Sequence, residues 1–69
     1  MDYVKKNFVV GEKVKFVRTN SELDNIEGVV LGCSMHHIMN HYIVGELSKP
    51  LTDRDDRAIN ITEACLERV

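Results

Sequence analysis

Charged and apolar side chains alternate through Lys13–Val14–Lys15–Phe16. That period of two sends successive residues to opposite faces of a sheet and predicts a strand. Gly28–Val29–Val30–Leu31 and Tyr42–Ile43–Val44 are β-branched or aromatic runs of strand length, and Ala58–Ile59–Asn60–Ile61 alternates again. Thr19–Asn25 carries the Ser, Asn and Asp side chains that bond their own backbone and compete with sheet ladders, so it predicts a loop. Ser48–Asp56 holds the only proline and the run Asp53–Arg54–Asp55–Asp56, and predicts a second solvated loop. The pattern changes over Ile61–Glu67, where Thr62 is placed to cap one tight turn of helix before Leu66 and Val69 begin a last short strand.

The same alternation assigns faces. With Glu46 in water, Tyr42 and Val44 share the outer face while Ile43 and Leu47 point inward, and Val29 and Leu31 line up beside the first pair. An outer apolar stripe on so small a domain implies a protein interface or a homodimer. A bulge near Gly32 or Gly45 would reverse the assignment, since a slip of one residue flips every side chain. Met35, Ile38 and Met39 at the tip of the intervening hairpin add flexible apolar contacts. The expected partner-binding set is therefore Val29, Leu31, Met35, Ile38, Met39, Tyr42 and Val44. The N-terminal arm is an alternative cover for that surface within the same molecule.

Length limits what the chain can be. Its 69 residues suffice for one small domain, at a size where folding buries only about 60% of the surface the unfolded chain exposes. An apolar share of 43%, a charged share of 29%, four glycines and one proline exclude disordered and low-complexity classes. The organisation expected is an N-terminal arm over residues 1–7 and a single domain over residues 8–69. The net charge of −2 is segregated: Met1–Arg18 carries five Lys/Arg against two Asp/Glu, whereas Thr19–Asp56 carries two against seven. Phosphate-led nucleic-acid binding draws on a basic excess that the chain as a whole lacks. Lys5 and Lys6 are followed by a short apolar run, Phe8–Val9–Val10, far short of a signal peptide or membrane span. Two cysteines fall below the density of disulfide scaffolds, so the expected location is the cytoplasm, with both thiols reduced.

Val10–Gly11–Glu12–Lys13–Val14–Lys15–Phe16, the Glu27–Gly28–Val29–Val30 segment and Tyr42–Ile43–Val44 together resemble the SH3-like barrels that include the KOW and related translation and transcription modules. The ending, Ile61–Thr62–Glu63–Ala64–Cys65–Leu66–Glu67–Arg68–Val69, is similar to the passage of those barrels from strand four through one 3₁₀ turn into strand five. The whole layout, from Phe8 to Val69, also looks like small uncharacterised proteins of tailed bacteriophages, which would make the location the host cytoplasm. The resemblance implies an all-β fold: a small five-stranded antiparallel SH3-like barrel with a 3₁₀ turn before the last strand. KOW-type barrels use basic surfaces on RNA or ribosomal protein, which implies a nucleic-acid alternative carried by Lys5, Lys6, Lys13, Lys15 and Arg18. Lysines on an edge strand have another use, blunting a row of free backbone groups. The chain departs from signalling SH3 domains: it has no Trp and no Ala-Leu-Tyr-Asp-Tyr run, and Cys65 stands where those domains carry the Tyr of the final turn. The aromatic groove for Pro-rich peptides is therefore not expected.

Cys33, His36, His37 and His41, with Cys65 further on, hold the only concentration of metal-ligating types. Cys33, His36, His41 and Cys65 form the set for a zinc alternative, because zinc takes four N or S ligands in a tetrahedron. Adjacent His36 and His37 face opposite ways in an extended strand, and a polar hairpin with surface histidines accounts for the same residues. A Cys–His nucleophile pair is a further option, against which Cys65 sits in an apolar frame and no nucleophile elbow, carboxylate dyad or phosphate-cradling loop accompanies it. No catalytic residue and no cofactor are expected. The resulting expectation is a non-enzymatic protein-interaction module, an accessory protein encoded by a phage and binding a host or phage protein.

Overall fold

The computed structural model describes residues 6–35, 38–51 and 58–69. Its elements are β1 (Lys13–Phe16), β2 (Glu27–Ser34), β3 (His41–Gly45), β4 (Ala58–Thr62), a 3₁₀ turn (Glu63–Cys65) and β5 (Leu66–Arg68). All pairings are antiparallel, in one five-stranded sheet ordered β4-β3-β2-β1-β5. The expected strands and final turn are present, and β2 runs on to Ser34. Thr62 does not cap the turn: its hydroxyl donates instead to Met39 Sδ, and the turn closes through the Leu66 N–H on the Glu63 carbonyl. The run Asp53–Asp56 lies outside the described residues.

The outermost strands β4 and β5 are joined only by Glu63–Cys65. In a flat sheet four interstrand spacings would separate them by roughly 19 Å. The chain from Thr62 to Leu66 reaches about 14 Å at full extension and less in a 3₁₀ turn. The sheet must therefore curl around its inner face. β4 and β5 are not hydrogen-bonded neighbours, so the curled sheet is open between them.

The concave face encloses Val14, Phe16, Val30, Tyr42, Val44, Ile59 and Leu66, joined by Phe8 from the segment before β1 and by Leu23 and Ile26 from the loop between β1 and β2. Each such side chain stabilises the fold by about 1.5–3 kcal/mol on burial. The loop reaches the core because its own polar groups are satisfied locally. Asp24 accepts from the Thr19 N–H at 2.7 Å and from the Thr19 hydroxyl at 2.6 Å, bonds that hold its carboxyl below the usual range. The Ile26 N–H donates to the Leu23 carbonyl, and Asn20 and Asn25 take the left-handed backbone that Asn tolerates. At Gly28 a Cβ would lie 2.9 Å from the Gly45 carbonyl oxygen and 2.6 Å from a Val44 methyl. Only glycine lets β2 pass that close to β3.

Two expectations are overturned. Tyr42 and Val44 are fully buried and Ile43 is exposed, the reverse of the faces assigned from Glu46. The physical reason is that β3 ends at Gly45 and Glu46 turns away at φ 50°, so period-two parity cannot be carried across it. Val29 and Leu31 do face outward, but beside Ile43, because β2 bulges between Val30 and Gly32. Leu47 packs against the core as expected. The second correction concerns β1: it pairs with both β2 and β5, so Lys13 and Lys15 are not on an edge.

Candidate functional site

The convex face divides into two chemically distinct halves. Across β1, β5 and the start of β2 it is a mosaic of opposite charges. Lys13 Nζ lies 3.6 Å from Glu27, and Lys15 sits in register between Glu27 and Glu67. Arg18 reaches Glu67 at 3.6 Å and donates to the Ala64 carbonyl at 2.7 Å. The Lys6 ammonium donates to the Leu66 carbonyl. Of the basic residues expected to form a strip, Lys6, Lys13 and Arg18 are thus engaged within the chain, Lys15 is flanked by carboxylates, and Lys5 lies outside the described residues. Such exposed pairs add little stability, but they leave less uncompensated positive charge for phosphates.

The other half, on β2 and β3, is apolar. Ile43 stands in register with Gly32, and its δ-methyl lies 3.8 Å from where a Gly32 Cβ would be, an ordinary van der Waals distance. Leu31, the extra residue of the bulge, is 46% exposed and Ile43 43% exposed, with half-buried Val29 beyond them. At the end of the hairpin Met35 and Ile38 are more exposed still, at 68% and 64%. Met39 is half-buried against Thr62. The structure therefore brings Val29 and Leu31 beside Ile43, a residue the sequence pattern had turned inward, whereas Met35, whose sulfur lies 3.7 Å from the Cys33 thiol, extends from the side of β2 that faces Tyr42. Tyr42 and Val44 belong to the core.

Beneath this surface lies a polar cluster that sequence reasoning missed. Glu63 and Asn40 are completely buried. The Tyr42 hydroxyl donates to Glu63 Oε2 at 3.3 Å and accepts from the Phe8 N–H at 3.0 Å and from Asn40 Nδ2 at 3.2 Å. Asn40 Nδ2 also donates to Asn7 Oδ1 at 3.1 Å, and the Lys6 N–H donates to Glu63 Oε2 at 3.3 Å. Burial of the phenol pushes the Tyr42 pKa up. Among the described residues Glu63 Oε1 and Asn40 Oδ1 have no hydrogen-bond partner. Chemically the cluster is a clamp: it ties residues 6–8 to β3 and the 3₁₀ turn. Phe8 adds a T-shaped contact to the Tyr42 ring, with centroids 5.3 Å apart, and the Arg68 guanidinium lies over the Phe8 ring, 4.7 Å from its centroid. A signal for Glu63 was available, because continuing the period of two from Ile59 and Ile61 puts it on the inner face.

Of the Cys/His set, His41 stands in register with Ser34, next to Cys33 on β2. Cys33 is exposed, with its thiol 3.7 Å from Met35 Sδ, whereas the half-buried Cys65 points its thiol at the Arg18 carbonyl. His36 and His37 lie outside the described residues. Among the described residues no three His, Cys, Asp or Glu side chains gather in a group able to hold a metal ion, and no helix is long and apolar enough to cross a membrane. Comparison of the chain with protein-family models, with curated proteins and with solved structures finds no match.

Proposed function

We propose that this protein is a non-enzymatic interaction module, an SH3-like curl of strands that binds a protein partner through the apolar half of its convex face. The observation that carries the reading is the exposed neighbourhood of Leu31 and Ile43, with Met35 and Ile38 also exposed at the end of the hairpin. Apolar side chains grouped on one part of a small surface, next to a half that is evenly charged, favour a protein partner over a phosphate backbone. Adaptable Met and Ile at the hairpin tip suit a contact that re-packs around its partner. The barrel reading is supported by the short 3₁₀ link between the outermost strands, and a cytoplasmic phage accessory protein is the setting that fits the sequence layout.

Affinity capture from the host cytosol tests this reading when wild type is compared with an Ile43→Glu, Leu31→Glu double variant. A specific protein retained by wild type and lost with the folded double variant supports it. Equal retention by both, or RNA retained at low salt and released at high salt, counts against it.

A further inference from the structure

We infer that the free edge of β4 is a self-association surface, at which two copies of this chain join their sheets antiparallel across a twofold axis at Asn60. Three observations meet there. The first is the direction of the backbone groups. The Glu63 N–H donates to the Asn40 carbonyl, which makes that pair hydrogen-bonded. Alternation along the β3–β4 register then makes Tyr42–Ile61 and Val44–Ile59 the bonded pairs. The N–H and C=O groups of Ala58, Asn60 and Thr62 consequently point away from β3. Among the described residues no strand pairs with β4 on that side.

The second observation is chemical. Sheet edges are ordinarily blunted by charge, proline or a bulge. The opposite edge, β5, carries Glu67 and Arg68. β4 reads Ala-Ile-Asn-Ile-Thr, with no charge and no proline, and keeps an unbroken register with β3.

The third identifies the occupant. The strand is nearly symmetric about Asn60, with isoleucine on either side and a small residue at each end. An isologous interface requires such self-complementarity. Antiparallel pairing about Asn60 sets Asn60 opposite itself and Ala58 opposite Thr62, with both backbone bonds made in each pair. Ile59 of one copy then lies opposite Ile61 of the other on the concave side. Ile61 is half-buried within one chain, and the second copy would cover the remainder. This inference is independent of the convex apolar surface.

Sedimentation or light scattering across a wide concentration range is the test, with two variants of the exposed Asn60. Asn60→Pro deletes an N–H that faces the free edge and leaves the ladder to β3 intact. Asn60→Lys sets like charges opposite one another at the twofold axis. Wild type is expected to double its mass with concentration, Asn60→Pro to raise the dissociation constant at least tenfold with an unchanged circular dichroism spectrum, and Asn60→Lys to weaken association at low salt with recovery at high salt. A wild type that stays monomeric throughout overturns the inference. So does a dimer whose affinity either folded variant leaves unchanged. If the proline variant does not fold, the salt dependence of Asn60→Lys decides.

Discussion

Tyr42 and Ile43 are consecutive residues on β3 with opposite fates. Tyr42 is wholly buried on the concave face, holding Phe8, Asn40 and Glu63 through its ring and hydroxyl, while Ile43 lies exposed on the convex face over Gly32. Both are large and apolar, so hydrophobicity alone does not sort them. The curl of the sheet does: a concave surface converges side chains on one another, and a convex surface spreads them apart. The comparison separates stability from recognition. The concave side of β3 holds the fold together, and the convex side leaves Ile43 exposed as part of the proposed partner surface.

Substitutions on the two faces sharpen or break that separation. Tyr42→Ala removes the ring and the hub of the buried cluster, and is expected to reduce stability by about 3–5 kcal/mol in urea unfolding. Since small domains have only about 5–15 kcal/mol in total, that loss takes a large share of the margin. A Tyr42→Ala protein with wild-type stability would break the comparison. Gly28→Ala introduces a methyl against the Gly45 carbonyl and Val44, and is expected to lower stability by about 1–3 kcal/mol.

Tyr42→Phe keeps the ring and strips the hydroxyl, leaving Glu63, Asn40 and the Phe8 N–H short of a partner, with an expected loss of about 1–3 kcal/mol. The same residue sets a pH dependence. Because burial raises the Tyr42 pKa above 10.0 in the folded state, the unfolded chain loses this proton first as pH rises. The contribution is present in full below the unfolded value and is lost as pH climbs through the folded one. Wild type should therefore lose more stability than Tyr42→Phe when unfolding is followed upward from pH 10; parallel profiles would refute the assignment. The smallest effect is expected at Ile43→Ala, within about 0.5–1 kcal/mol of wild type, although partner capture should fall. A loss as large as that of Tyr42→Ala would mean that the convex face is structural after all.

Much of the architecture was legible because it depends on local alternation. Lys13–Phe16, the Val- and Ile-rich runs and the Ser/Asn loop each carry their signal within a few residues, and the final turn before Leu66 was placed through Thr62, which stands at its start without capping it. The faces of β2 and β3 were not legible, because they hinge on two local departures from alternation. One is the left-handed Glu46 just past β3, and the other is the bulge at Leu31. Both preserve composition while shifting parity. The buried cluster was only half legible. Period two reaches Glu63 from Ile59, but nothing near Asn40 announces that Asn7, Tyr42 and Glu63 will meet there, since those contacts span 33, 2 and 21 residues of sequence.

The sequence by itself determined the strands, the Thr19–Asn25 loop and the all-β class, because each rests on periodicity and turn chemistry within a short window. Only the tertiary structure decided which side of each strand became core, which strand became an uncharged edge, and which polar groups were buried together. Those outcomes depend on the direction of curl and on pairings between distant residues, and a one-dimensional pattern does not encode the sign of either.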